Sequence, residues 1–189
     1  WSHTADGESD IYLSHSDDGW SWSDPEAVSQ EEGRELTPSL AVGSDEAALA
    51  YAWQTETLQQ IYLRTADSPE GSWSEPERVV SSTIARYRSP TLAYDGEGRL
   101  WMAYVRMVGG AHSHLSLKVR TDGSWESVDP PTADDARADL PRLSVLADGL
   151  FCSYAEHNGL GWVLRTVRYE GDGEWSAFEQ LPGKAMDRQ

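Results

Sequence analysis

Arginines, histidines and aromatic residues recur in short polar segments along this acidic chain. Arg34, Glu35 and Thr37 precede or enter one apolar run, Arg86, Tyr87 and Arg88 a second, and Arg137 and Asp139 a third. After the following run stand Trp53, Gln54 and Glu56, then Arg106, His112 and His114, then Glu156 and His157, with Trp1 and His3 in the corresponding place near the start. These residue types suit recognition of a polar small molecule. Guanidinium groups take carboxylates or hydroxyls through paired hydrogen bonds, and rings such as those of Trp53 and Tyr87 stack on the faces of sugars. Glu156 beside His157 has the makings of an acid–base pair. His112 and His114, at alternate positions, would present both imidazoles on one face; no third ligand stands at a matching spacing, so no metal or other cofactor is expected.

The elements that must position these residues repeat. Trp22, Trp73, Trp125 and Trp175 each close a short turn, at steps of 51, 52 and 50 residues. Pro38, Pro90 and Pro141 enter an apolar run in the same phase, and Tyr51, Tyr104 and Tyr154 lie within the next. One period reads "LTPSLAV", "AALAYAW", "IYLRT" and "SWSEPERVV", separated by Gly-, Asp-, Ser- and Pro-containing turns. Short runs rich in Val, Leu, Ile, Tyr and Trp with such boundaries predict strands. Four strands per period of about 50 residues predict an all-β propeller of four-stranded antiparallel blades, stacked because one small sheet cannot cover both of its faces. The expected order is a partial blade over 1–30 holding only third and fourth strands, then blades over about 31–82, 83–133 and 134–182, about 3.5 to 4 blades in a single domain over 1–189. The prolines are expected to start the first strands, where a missing N–H costs little. Ala50, Ala103 and Ser153 share one position beside the repeating tyrosine, where crowding favours small side chains. The chain reads as a trimmed piece, part of a larger ring, or a compact ring, with a homodimer or further blades completing it.

In such a blade the loop entering the first strand and the loop leaving the second lie on one face near the axis. The polar segments named above are therefore expected to converge on one mouth.

The chain has 32 acidic and 15 basic residues, only two of them lysine, and a net charge of −17. That charge argues against nucleic acid or an anionic membrane as partner, and no apolar run is long enough to span a bilayer as a helix. A secreted or periplasmic location is slightly favoured. Cys152, the single cysteine, reads as a small core residue and excludes a disulfide framework.

Residues 15–22, "HSDDGWSW", resemble the Asp box, the Ser-x-Asp-x-Gly-x-Thr-Trp turn of bacterial-neuraminidase repeats. Asp17, Gly19, Ser21 and Trp22 fall in register, with His15 in place of Ser. "ADSPEGSW", "RTDGSW" and "EGDGEW" are degenerate copies. The chain thus resembles a sialidase-type β-propeller. The box itself is expected to be structural: its Asp caps backbone N–H groups, its Gly supplies a positive φ, and its Trp packs beneath. The resemblance implies an enzyme that holds a carboxylated sugar with three arginines, activates a Tyr nucleophile through Glu, and uses Asp as acid–base. Here the Arg-Ile-Pro signature is missing. Arg88, two residues before Pro90, is the best match to such an arginine, with Arg34 and Arg106 next; the Tyr, Glu and Asp set cannot be carried over. Three functions stay open: a noncatalytic propeller that binds a glycan or small acidic sugar, part of a sialidase-like exo-glycosidase, and a protein-interaction or sensor propeller.

Overall fold

The computed structural model describes residues 1–109, 112–132, 136–147 and 149–177, with fifteen strands and no helix among them. The chain divides into two compact units, Trp1–Pro90 and Thr91–Gln189.

The first unit holds β1 (Ser2–Ala5), β2 (Glu8–Leu13), β3 (Glu26–Ser29), β4 (Arg34–Val42), β5 (Ala47–Gln54), β6 (Gln59–Ala66) and β7 (Glu77–Val80). Strands β4-β5-β6-β7 run antiparallel in chain order, the four-stranded pattern expected of one period. Strand β2 carries β1 on one side and β3 on the other. A single parallel pair, Ser9 with Arg34, joins the two groups. The partial blade is thus one strand richer than the sequence suggests, because residues 2–5 form the end of a second strand on β2 across the Asp6–Gly7 turn.

Strand β8 (Ala85–Tyr94) crosses the division. It is followed by β9 (Leu100–Val108), β10 (His112–Thr121) and β11 (Ser124–Val128), in the sheet order β11-β10-β9-β8. Strands β12 (Arg137–Leu146), β13 (Gly149–His157), β14 (Trp162–Gly171) and β15 (Glu174–Ala177) form the last sheet in chain order.

The repeating prolines sit inside the first strands rather than at their starts. The residue before each has a left-handed backbone, with φ of 51° at Thr37, 53° at Ser89 and 53° at Leu140. The ladder skips between Leu36 and Ser39 and between Asp139 and Arg142. A bulge is where a strand tolerates a residue without an N–H, so proline and bulge recur together.

The repeating tyrosines are core residues: Tyr51, Tyr104 and Tyr154 are 1%, 6% and 2% exposed. Two hydroxyls reach back to the linker before their own sheet, Tyr51 to Glu31 Oε2 at 3.4 Å and Tyr154 to the Pro131 carbonyl at 3.4 Å. In the first unit Leu49 and Tyr51, with Trp53, Tyr62 and Trp73, pack against Ile11 and Val28. In the second, Trp101, Ala103, Leu115 and Leu117 pack against Leu143, Leu150, Cys152 and Tyr154. Burying one such large side chain contributes about 2 kcal/mol. Cys152 is fully buried, and burial pushes its thiol up to about 12, so it is inert.

Candidate functional site

Within the first unit, two polar segments meet because β4 and β5 are antiparallel: Arg34 lies opposite Gln54, and Glu35 opposite Trp53. The end of β5, the start of β4 and the Asp6–Gly7 turn enclose a cleft of about 630 Å³ lined by Glu8, Glu32, Gly33, Arg34, Trp53, Gln54 and Glu56 among others. Gly33 shapes its floor. Its φ is +118°, and a Cβ there would stand 3.0 Å from the Gln54 carbonyl and 3.2 Å from Trp53 Nε1, so only glycine fits. The Gly33 N–H donates to Glu8 Oε2 at 2.8 Å, and its carbonyl accepts from the Ser9 N–H at 3.2 Å. Trp53 Nε1 donates to the Glu32 carbonyl at 3.0 Å, and the indole meets Tyr62 edge-on at 5.7 Å. One edge of this half-buried ring is therefore fixed, while Arg34 and Glu56 are exposed beside it.

The segment that carries Arg34 also carries an inward-facing, partly buried polar network. Glu35 is fully buried and accepts from Ser29 Oγ, and Glu31 pairs with Arg64. Arg64 also donates to the Ser74 carbonyl at 2.6 Å. Burial, followed by the adjoining Glu31 carboxylate, pushes Glu35 up to about 8, against the Ser29 hydroxyl. Glu35 Oε1 receives no hydrogen bond, which a proton on that oxygen, shared with Glu31, resolves. Burial alone would raise Glu31 too, but the hydrogen bond from Glu35 and the Arg64 guanidinium outweigh it and hold Glu31 below the ordinary carboxylate range. Tyr51 and Glu31 superficially match a nucleophile with its activating carboxylate. Tyr51, however, is only 1% exposed, and burial drives its hydroxyl above the usual tyrosine range; an activated nucleophile needs the opposite on both counts.

Each of the remaining expected site residues has its setting within its own sheet. Arg86 is exposed and Arg88 half-buried, but Tyr87 is only 8% exposed. Tyr87 thus offers no open stacking face, since alternation along β8 turns it inward. In the second unit Arg106 lies opposite His114 on the β9–β10 ladder, and the His112 and His114 rings are 6.4 Å apart. Among the described residues no group of three His, Cys, Asp or Glu side chains is placed to hold a metal ion. Glu156 is paired with Arg165 at 3.2 Å, not with His157. Neighbours on a strand point to opposite faces, and His157 instead meets Trp162 edge-on at 5.4 Å while accepting from the Gly159 N–H at 3.2 Å. Arg137 sits over the same indole at 5.7 Å.

The turn at residues 16–21 is capped by Asp18, one residue beyond the Asp17 expected from the motif. Asp18 Oδ1 accepts from the Ser21 and Trp20 N–H groups, each at 2.7 Å, which brings its carboxyl down to about 2. Ser16 Oγ accepts from the Gly19 N–H at 2.8 Å, and Gly19 has φ +75°. Trp22 is 64% exposed, not packed beneath the turn. Its equivalent Trp73 rests on Ile11 and Val28 of the preceding strands.

The sequence missed Glu8, Glu32 and Gly33 as cleft residues, and the inward-facing polar network. Its only trace was the polar segment "SQEEGRE", whose glycine between charged residues marks a special backbone.

No family model and no curated protein matches the chain. Solved structures do. A Hadza microbial sialidase superposes with TM-score 0.72 over 91% of this chain at 14% identity. Trypanosoma rangeli sialidase in complex with sialic acid gives 0.67 over 90% at 10% identity. A Dyadobacter fermentans protein of unknown function gives 0.70 over 93% at 16% identity. The chain has a sialidase-type β-propeller fold. It spans 40%, 33% and 60% of those three chains, respectively.

Proposed function

We propose that this sialidase-like propeller recognises carbohydrate without cleaving it, and that the sugar sits in the first-unit cleft against Trp53. The observation that carries the reading is the indole itself. It is half-buried, fixed along its Nε1 edge, and flanked by Arg34, Gln54 and Glu56 in a cleft of about 630 Å³, a volume that suits a small ligand. A rigid aromatic face with hydrogen-bonding groups at its border matches a sugar ring, which is apolar on its face and polar at its rim. Three glutamates, Glu8, Glu32 and Glu56, outnumber Arg34 there. Like charges repel, so the cleft favours a neutral sugar over the carboxylated one suggested by the family resemblance. The closed setting of Tyr51 and Glu31 supports binding rather than glycoside cleavage.

Binding of neutral and carboxylated monosaccharides and their oligosaccharides by titration calorimetry tests this reading. Trp53→Ala is expected to abolish binding, and Arg34→Ala to weaken it about tenfold, the equivalent of one charge-assisted hydrogen bond. Binding that survives Trp53→Ala would remove the cleft from the account.

A further inference from the structure

Asn158 is the only asparagine in the chain, and a glycine follows it. The pair forms the turn between β13 and β14, where the Asn158 N–H donates to the Gly161 carbonyl at 3.0 Å. The corresponding turn of the first unit, between β5 and β6, is built on Thr55. Its N–H donates to the Leu58 carbonyl at 3.0 Å, and its Oγ1 accepts from the Leu58 N–H at 3.2 Å. A turn of this kind thus needs a side-chain oxygen but not an amide.

The groups around the Asn158 amide are arranged for reaction. Its Oδ1 accepts from the N–H groups of Leu160 and Gly161, each at 3.1 Å. Two donors on one carbonyl oxygen draw charge from Cγ and stabilise the oxyanion that forms when a nucleophile adds there. The Gly159 nitrogen is the adjacent nucleophile, and its bond to Cγ closes a succinimide ring. Its N–H donates to His157 Nδ1 at 3.2 Å. A ring nitrogen that accepts a hydrogen bond is unprotonated and can take that proton. Trp162 holds the imidazole in place, meeting it edge-on at 5.4 Å and 79°. Glycine leaves the attacking nitrogen unshielded: at Gly159 φ is +91°, and nothing lies within 4 Å of where a Cβ would stand. Asn158 and Gly159 are both exposed to water. Sheets of a propeller stack by their faces, whereas this turn stands at strand ends.

We infer that Asn158 is a self-modifying site, deamidated by the Gly159 backbone nitrogen with His157 as general base. The nitrogen gives its proton to His157 Nδ1 and bonds to Cγ. The bond from Cγ to Nδ2 breaks, and His157 returns the proton to Nδ2, which leaves as ammonia. Water then opens the succinimide. Breaking the bond from the Gly159 nitrogen to Cγ gives aspartate; breaking its bond to the Asn158 backbone carbonyl carbon gives isoaspartate, with the main chain rerouted through the side chain. Either product places a new negative charge next to His157.

Peptide mapping of the full chain by mass spectrometry, during incubation at neutral pH, tests the inference. The folded protein should convert Asn158 to aspartate and isoaspartate about a hundredfold faster than the same chain unfolded in urea, the low end of what a positioned general base supplies. His157→Phe keeps a ring against Trp162 but has no basic nitrogen. It should bring the folded rate down to that of the unfolded chain while keeping the parent's melting curve; His157→Gln, which is no base either, serves if the phenyl ring disturbs the turn. A folded parent that deamidates no faster than the unfolded chain, or a folded His157 variant as fast as the parent, would overturn the inference.

Discussion

The two sides of the segment Glu31–Glu35 behave as different materials. Glu32 and Arg34 face the open cleft, whereas Glu31 and Glu35 turn inward to Arg64, Ser29 and Tyr51. Charged residues adjacent in sequence have thus been sorted into a surface that can meet a ligand and a network that cannot. Charge in a loop is therefore poor grounds for assigning a site. What separates the two sets is whether the carboxylate has exchanged water for protein partners.

The largest effect should come from breaking the inner side. Arg64→Ala leaves the partly buried Glu31 without its cation and should cost about 3 kcal/mol, read as a lowered urea midpoint with an unchanged slope. A loss below a fifth of that would mean that Glu31 is solvated and the contrast between the two sides false. Glu35→Gln sharpens the comparison through pH. Glu35 is raised in the fold from 4.5 to about 8, so its contribution to stability is full below the ordinary glutamate value and drains away as pH rises through about 8. The variant lacks that loss. Its melting temperature should therefore gain on the parent's as pH climbs between those values, and parallel curves would contradict the assignment of the proton. On the outer side, Arg34→Ala should change stability by less than about 0.5 kcal/mol, as for an exposed residue, while weakening sugar binding. The smallest expected effect is at the rim turn, where Asp18→Ala should lower the melting temperature slightly and Asp17→Ala should leave it unchanged; the reverse would restore the capping role to Asp17.

Most of the architecture was legible in the sequence because it is periodic. The beat of Trp73, Trp125 and Trp175, with Tyr51, Tyr104 and Tyr154, reflects packing repeated in each sheet, and packing leaves its pattern in residue types. Exceptions arose where a residue's role depends on what lies beside its sheet. Trp22 has the motif position of Trp73 yet stays exposed, and β1 was too short to carry a pattern of its own. Arg34, Trp53, Gln54 and Glu56, expected near one another from the ends of antiparallel strands, line one cleft. Tyr87 was misjudged because its neighbours Arg86 and Arg88 suggested an exposed segment, whereas alternation buries every second residue. The Glu31–Glu35 pair was invisible, since a buried acid and a solvated one read alike until the fold places Arg64 and Tyr51 next to them.

The most direct measurement is a nitrogen-edited NMR titration following the Trp53 indole N–H while neutral and carboxylated sugars are added. If the cleft is the binding site, that resonance should shift saturably with a neutral sugar and less with a carboxylated one, and Arg34→Ala should reduce the apparent affinity. A Trp53 signal that no sugar moves, or one moved only by carboxylated sugars, would contradict the cleft and its charge preference respectively.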